Sequence, residues 1–250
     1  MNQIKTPEEF YQDYIAIFAP DSTRLDHLKT ITRKLALIIN EACMVNANKT
    51  ADLIGAWVIG TKENRNLENR SSYDAYINQH TEVRQYIQRI IDKKPIHKMV
   101  LANLLITELE NSFELDKKIL ANLVCIDRLL NNKEYSLEYL YFESAGSLIN
   151  RLHQSTTDWD FLIDCMDKRI RNASAHLNFS YNMRKSIFIG KNVDARNKTI
   201  TKFEITPQEM LLEILPKQSN IIQAFIANGI LLWLSVNDFE LYKKALDFLD

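Results

Sequence analysis

Apolar residues recur at the spacing of an α-helix along almost the whole chain, and this periodicity constrains the fold more than any other feature. It predicts a first helix over residues 7–18 and a second that follows the DST cap before Arg24 and continues to about Gly60. Residues 61–72 are polar and aperiodic, which is typical of a loop. Further helices are predicted at about 73–92, 95–113, 115–131, 135–154, 157–178, 219–235 and 237–249. Because only 5 Gly and 5 Pro interrupt the chain, we expect an all-α fold.

One stretch near the end breaks the helical period. The segments SIFIG and TITKFEI alternate apolar and polar residues, so they predict a small two-stranded β-hairpin at about 186–205. Thr206 followed by Pro207 then predicts the start of another helix, since proline is tolerated at the first helical position.

Several classes of function are disfavoured by composition. Cys43, Cys125 and Cys165 are far apart and form no CxxC pair, so we expect reduced core thiols rather than disulfides or a zinc site. No metal site or cofactor is expected, because the remaining histidines are isolated and no glycine-rich phosphate loop occurs. The first residues lack the pattern of a signal peptide, and the longest apolar run, 221–236, is too short and too polar for a membrane span. The sequence therefore predicts a cytoplasmic protein without a membrane partner.

The helix predicted over 157–178 carries the sequence RIRNASAH, residues 169–176. On a helical wheel, five apolar residues of this helix fall within about 80° of one another, and we expect this apolar stripe to be buried. A polar ridge of Arg169, Asn172 and His176 lies along one flank of the same helix. The stripe consists of Leu162, Met166, Ile170, Ala173 and Leu177.

Positive charge is concentrated around this helix. Residues 161–202 contain nine cations and three acids, a local charge of +6, in a chain whose net charge is −1. Such a cluster attracts phosphates, and aromatic side chains nearby can stack on bases. We predict that it binds RNA through Lys168, Arg184, Lys185, Lys191, Arg196, Lys198 and Tyr181, with Lys202 and Phe179 close by.

The run Arg171-Asn172-Ala173-Ser174-Ala175-His176 resembles the Arg-polar-x3-His signature of HEPN domains (higher eukaryotes and prokaryotes nucleotide-binding). The resemblance implies a helical bundle that dimerises with the two motif helices facing each other and forms one composite RNA-cleaving cleft. It places the HEPN-like domain at about 93–250, with residues 1–92 as an added helical region of unknown role. In toxins of this family a Tyr often lies two residues after the His, whereas here that position is Asn178.

The resemblance implies a metal-independent endoribonuclease of a prokaryotic defence, abortive-infection or toxin system. Histidine titrates near neutrality and can act as general acid and base, while arginine matches phosphate oxygens. His176 is thus the candidate acid/base, Arg171 or Arg169 the phosphate ligand, and Asn172 an orienting residue. One chain offers a single such histidine, so we expect a homodimer, with an antitoxin or a sensor protein as a further partner.

Plainer interpretations of the same residues stay open. His176 is equally explained as a half-buried histidine bonded to a carbonyl, and Arg169 or Arg171 by an ion pair with Asp164 or Asp167. The basic face also suits a non-catalytic helical module that binds RNA or a protein. A separate run at 135–142, with Tyr135, Tyr139, Tyr141 and Phe142, is either an aromatic binding surface or part of a helical core.

Overall fold

The structure, a computed structural model, describes residues 5–19, 25–92, 94, 97–194 and 198–250. It is mostly helical, as the periodicity predicts, and it contains one small sheet. The predicted DST cap falls within residues 20–24, outside the described ranges. The helices are α1 (Pro7–Phe18), α2 (Leu25–Ile59), α3 (Arg70–Ile91), α4 (Lys98–Leu130), α5 (Leu137–Tyr141), α6 (Ala145–His153), α7 (Asp160–Ile163), α8 (Lys168–Ala175), α9 (Pro207–Glu209), α10 (Leu215–Asn237) and α11 (Phe239–Asp247).

Local capping signals set the beginnings of two helices where the sequence places them. Thr6 caps α1 in a capping box with Glu9, and Pro7 occupies the first helical position. Thr206 caps α9 in the same way, and its hydroxyl accepts a hydrogen bond from the backbone N–H of Glu209 at 3.0 Å. A π-helical turn, Met210–Ile214, then connects α9 to α10.

Helix α2 is broken at Asn46, whose φ of −161° and ψ of 98° are not helical. The Asn46 side chain accepts a hydrogen bond from the backbone N–H of Lys49 at 3.0 Å, so it caps the second half of the helix. The helix ends at Gly60, with φ +72°, where a Cβ would lie 2.6 Å from the carbonyl oxygen of Arg65. Only glycine fits that turn.

Three helix boundaries differ from those predicted. Residues 98–130 form one uninterrupted helix rather than two, because no glycine or proline breaks the chain there. The stretch predicted as 135–154 is two short helices, because Ser144 caps a new start by accepting from the N–H of Ser147 at 3.2 Å. Asp167 likewise starts α8 separately from α7, accepting from the N–H groups of Arg169 and Ile170.

The chain divides into two compact units. Unit 1 comprises Met1–Asn69, Lys117–Ile163 and Asn220–Asp250, and unit 2 comprises Arg70–Asp116 and Asp164–Ser219. The domain boundary predicted near residue 92 lies inside unit 2, so the units do not coincide with the domains 1–92 and 93–250. Each unit is assembled from segments that are distant in sequence.

The core of unit 1 includes the apolar part of α10, whose Ile221, Phe225 and Leu234 are buried. Phe225 packs against Trp57 with ring centroids 5.6 Å apart. The helical stretch Pro207–Asn237 is long and apolar enough to cross a membrane on length and composition alone, but half of its most apolar window is buried within the protein. A core helix of this kind meets the same criterion.

Unit 2 contains a three-stranded antiparallel sheet in the order β1 (Phe179–Asn182), β2 (Ile187–Asp194) and β3 (Thr199–Ile205). The predicted hairpin is therefore present as β2 and β3, but the expected two-stranded sheet is wrong. The additional strand, β1, follows the turn at the end of α8 and pairs with β2 in antiparallel register, from Phe179 opposite Gly190 to Asn182 opposite Ile187.

One face of this sheet packs into the core of unit 2. Phe188 and Ile205 lie opposite each other across β2 and β3, and both are buried. Gly190 lies opposite Phe203, and a Cβ at Gly190 would lie 2.1 Å from the Phe203 ring. The cluster also includes Ile170 and Ala173 of α8, so the candidate helix is held against the sheet.

Candidate functional site

His176 lies at the C-terminal end of α8, where the helix stops in a Schellman motif. The N–H of Leu177 bonds to the carbonyl of Ser174 at 2.9 Å, and the N–H of Asn178 bonds to that of Ala173 at 2.7 Å. His176, which lies between the last helical residue and Leu177, is exposed. The half-buried interpretation of His176 is therefore wrong.

Leu177 occupies the position where glycine is usual, with φ +55°. This backbone conformation costs an L-residue about 1–2 kcal/mol. Its side chain is 95% exposed, so the prediction that Leu177 continues the buried stripe is wrong. The reason is the early end of α8, which turns the chain outward before residue 177; Ile170 and Ala173 are buried as predicted.

Arg171 lines a shallow pocket of about 210 Å³ between α8 and α4. Its guanidinium lies 5.9 Å from the centroid of the Phe113 ring, over the ring face. Glu110 and Glu114 line the same pocket, and the Ser174 hydroxyl donates a hydrogen bond to Glu110. The sequence analysis did not connect these two carboxylates with the motif, although their i, i+4 spacing places them on one helix face.

Arg169 is held by the residue that caps its own helix. Its Nε and Nη2 donate to the two carboxylate oxygens of Asp167 at 3.2 and 2.7 Å. This bond raises the pKa of Arg169 above its ordinary value. The guanidinium also lies 5.4 Å from the centroid of the Phe203 ring. Arg169 therefore has the ion-pair role that the sequence left open, while Arg171 faces the pocket.

Asn172 connects α8 to the sheet. Its Nδ2 lies 3.5 Å from Oδ1 of Asn192 on β2, a long hydrogen bond between two half-buried side chains. Asn172 thus contacts the strand.

The outer face of the sheet carries part of the predicted basic surface. Lys191 and Lys202 lie directly opposite each other on β2 and β3, and both are exposed. Like charges in this register repel, so they add to the local positive potential without stabilising the strand pair. Lys185, in the turn after β1, is exposed and pairs with Glu204 at 3.1 Å, which offsets its charge.

The remaining predicted RNA-binding residues differ in how far their side chains are exposed. Arg184 and Lys198 are exposed. Tyr181 is half-buried on the inner face and packs against Phe188 with ring centroids 5.1 Å apart. Phe179 is buried. Arg196 and the side chain of Lys168 lie outside the described part of the structure.

A second polar cluster, which the sequence analysis did not identify, lies inside unit 2. Nδ1 of His80 is 2.5 Å from Oε1 of Glu108, although the sequence suggests an isolated histidine. Glu108, Ser112 and Asp116 follow one another at intervals of four residues along α4, and all three are buried. Within the described residues, Oε2 of Glu108, Oγ of Ser112 and both carboxyl oxygens of Asp116 have no hydrogen-bond partner.

Burial raises the pKa of Asp116 well above its ordinary value of 3.8, and the nearby amide of Gln218 opposes this shift only in part. Burial likewise raises the pKa of Tyr76, with Glu108 and Asp116 adding to the effect. Burial in this cluster therefore favours the protonated forms of Asp116 and Tyr76.

Metal-ligating groups are not gathered anywhere in the described ranges: no set of three or more His, Cys, Asp or Glu side chains there is arranged to hold a metal ion. The three cysteines are free thiols; Cys125 and Cys165 are buried, as expected for core residues, and Cys43 is half-buried. Burial raises the pKa of both Cys125 and Cys165 to about 12, which keeps them protonated and unreactive.

No protein-family model matches this sequence, and neither a curated protein nor a solved structure is detectably similar to it. The resemblance to HEPN domains therefore depends on the residues of the motif.

Proposed function

We propose that the protein is a metal-independent endoribonuclease whose cleft is completed by a second copy of the chain. The observation that supports this proposal most directly is the placement of the two motif residues at the end of α8. His176 is exposed at the helix terminus, and Arg171 lines a pocket less than two turns earlier on the same helix. Leu177, which is 95% exposed beside His176, is available for contact with a second copy of the chain.

The proposed chemistry divides between two histidines. One His176 takes the proton of the 2′-hydroxyl, which attacks the adjacent phosphorus; the other His176 gives a proton to the departing 5′-oxygen. Arg171 from each copy stabilises the added charge on the phosphate oxygens. The products carry a 2′,3′-cyclic phosphate and a 5′-hydroxyl, and no net proton is consumed.

The choice of Arg171 over Arg169 follows from their surroundings. The charge of Arg169 is neutralised by two hydrogen bonds to Asp167. Arg171 contacts an aromatic ring and lines open space. Glu110 and Glu114 lower the local affinity for phosphate, which gives the site low activity until RNA or a partner rearranges the pocket.

RNA is proposed to reach the site along the outer face of the sheet. Lys191 and Lys202 supply positive charge there on β2 and β3, and the exposed Arg184 adds to it from the turn between β1 and β2. We propose that the protein acts in the cytoplasm, within a toxin or antiviral defence system, and that an antitoxin or a sensor protein restrains or triggers it.

A non-catalytic RNA- or protein-binding module is the second candidate. It is favoured by the ion pair of Arg169 and by the two carboxylates beside Arg171, which together weaken the catalytic use of both arginines. In this interpretation the basic sheet surface binds RNA and His176 has no chemical role.

The decisive experiment incubates the full-length protein with cellular RNA and a tRNA pool in EDTA. His176→Ala and Arg171→Ala are expected to abolish cleavage while retaining RNA binding, and Arg169→Ala is expected to retain most activity. His97→Ala, which changes another exposed histidine of unit 2, serves as the matched control. Cleavage that survives His176→Ala contradicts the nuclease proposal, as does wild-type RNA binding without cleavage under every condition tested.

The composite cleft has its own test. An excess of His176→Ala protein mixed with wild type should suppress cleavage, because mixed dimers contain only one of the two histidines. Sedimentation of the wild-type protein measures the dimer directly. Activity that stays proportional to the amount of wild-type chain would show that a single chain suffices.

A further inference from the structure

The aromatic run at 135–142 belongs to unit 1, and the structure resolves the alternatives that the sequence left open. Tyr139 and Phe142 are 65% and 76% exposed, so they are not part of a helical core. Tyr135 is half-buried. Tyr141 is also half-buried, and its hydroxyl donates to Oδ1 of Asn69 at 3.2 Å. The run thus forms a surface on which planar groups can stack.

Two arginines lie beside this aromatic surface. Nε of Arg128 donates to the backbone carbonyl of Glu134 at 2.5 Å. Arg151 donates from Nε and Nη2 to the two carboxylate oxygens of Glu143, at 2.9 and 2.6 Å. These bonds fix both guanidinium groups but use only some of their N–H donors. Each arginine therefore has oriented donors left for an anion.

Glu143 holds the Arg151 guanidinium in place. Its side chain is only 12% exposed, and it also accepts a hydrogen bond from the Ser147 hydroxyl. The hydrogen bonds from Arg151 hold the pKa of Glu143 below its usual range, so it stays ionised. Glu143 neutralises one of the two arginines, which leaves Arg128 as the main source of attraction for an anion.

A pocket of about 420 Å³ opens among these residues. This volume falls within the range of roughly 300–1,000 Å³ that is usual for small-molecule sites. Its lining combines two arginines and two tyrosines with one acidic, one hydroxyl and one aliphatic residue. The lining residues are Arg128, Glu134, Tyr135, Ser136, Tyr139, Leu140 and Arg151.

We propose that this pocket of unit 1 binds a nucleoside monophosphate, with the base stacked on Tyr139 and Tyr135 and the phosphate held by Arg128 and Arg151. Aromatic rings stack on any base, and guanidinium groups bind phosphate oxygens in a bidentate manner. Glu134, an exposed acid, also lines the pocket and opposes a more highly charged ligand, which favours a single phosphate group. The site is independent of His176 and Arg171, and it gives unit 1 a role of its own.

The test titrates the full-length protein with AMP, GMP, CMP and UMP by calorimetry, with inorganic phosphate and adenosine as separate arms. We expect at least one mononucleotide to bind with a Kd on the order of 10–100 µM, and each fragment at least about tenfold more weakly. A short RNA with a 5′-phosphate distinguishes a free nucleotide from the end of an RNA chain. Fragments that bind as tightly as the nucleotides, or wild-type protein that shows no saturable binding, would overturn the proposal.

Variants assign the binding to this pocket. Arg128→Ala and Tyr139→Ala should each weaken binding about tenfold, whereas Tyr139→Phe, which keeps the ring, should retain it. Tyr139 is exposed, so its replacement leaves the fold intact. Lys133→Ala, an exposed cation on the same loop, is the matched control and should bind normally. Arg171→Ala and His176→Ala should also bind normally, so failure here is distinguishable from failure of the nuclease proposal. Unchanged binding in both Arg128→Ala and Tyr139→Ala would exclude the pocket.

Discussion

In unit 1, buried polar side chains such as Asn122 and Asn228 donate to backbone carbonyls, at 2.6 Å to Leu53 and at 3.1 Å to Thr32. In unit 2, by contrast, Glu108 and Asp116 bury oxygens that have no hydrogen-bond partner within the described chain. A buried polar group without a partner costs about 1–3 kcal/mol. These unpaired carboxyl oxygens therefore lower the stability of unit 2.

The backbone shows the same difference. In the described part of unit 1, positive φ angles occur at Gly60 and Asn132, two residue types that tolerate them. In unit 2 they occur at Leu177, Ser186 and Lys198, which do not. Strain that persists in a fold concentrates at functional sites. Both differences place the unfavourable groups in unit 2, which also carries the motif helix.

The largest effect is expected from Asp127→Ala in unit 1. Oδ1 of Asp127 accepts hydrogen bonds from Nε1 of buried Trp159 at 3.1 Å and from the Ser155 hydroxyl. Removing it leaves the indole N–H without an acceptor, which should lower the free energy of unfolding by about 3 kcal/mol. Tryptophan fluorescence measures this loss, because Trp57, Trp159 and Trp233 all belong to unit 1.

Asp52→Ala is the matched control for Asp127→Ala, since Asp52 is an exposed acid of the same unit. If Asp52→Ala lowers the stability as much as Asp127→Ala does, the hydrogen bonds of Asp127 are not what stabilises unit 1.

Asp116→Asn in unit 2 is expected to stabilise the protein, whereas Asp127→Ala destabilises it. The amide keeps the shape of the side chain but does not ionise in the unfolded chain, so the free energy of unfolding at pH 7 should rise. Hydrogen exchange in peptides from α3 and α8 reports on unit 2 specifically. Asp164→Asn, at an exposed acid, should leave exchange unchanged. Faster hydrogen exchange in the α3 and α8 peptides of Asp116→Asn would contradict the inference that the buried carboxyl weakens unit 2.

The pH dependence follows from the same residue. The folded-state pKa of Asp116 is raised, so below about pH 3.8 the carboxyl is protonated in both states and has no effect. As the pH rises above this value, the unfolded chain loses its proton first, and unit 2 becomes progressively less stable until the folded-state pKa is reached. Stability measured between pH 4 and pH 8 should therefore fall less steeply in Asp116→Asn than in wild type. Equal slopes would mean that folding does not raise the pKa of Asp116.

The smallest effect is expected from Leu177→Gly. Glycine adopts the required positive φ without strain, so unit 2 should gain about 1 kcal/mol, read again by exchange in α8. Leu177→Ala keeps the strain while removing the exposed side chain, and it separates the two contributions. A gain of equal size in Leu177→Ala would show that exposure of the leucine, rather than its backbone, is the unfavourable feature.

The helices whose beginnings carry a local signal could be predicted closely from sequence. Residues 7–18 coincide with α1, because Thr6, Pro7 and Glu9 specify its start. The end of α8 could not be predicted in this way. A helix usually ends where glycine permits a positive φ, and here a leucine adopts that conformation, so the periodicity gives no warning and the first strand is missed.

The candidate site was predictable only as a list of residues on one helix. The sequence places Arg171 on the motif helix, as the structure does, but it places His176 inside that helix rather than at its C-terminal cap, and it does not show that Arg169 pairs with Asp167. Nor does it show that α4 brings Glu110 and Glu114 beside Arg171. Such contacts join segments about sixty residues apart, and helical periodicity carries no information about which faces meet.

The break at Asn46 has a consequence for how α2 forms. Helix formation requires a costly nucleus, and a helix that is interrupted must nucleate on each side of the interruption. Asn46 supplies a cap for the second half, so that half can begin without waiting for the first. A peptide that starts at Asn46 should therefore show more helix than one that starts at Ala47. During folding, α2 then behaves as two cooperative segments.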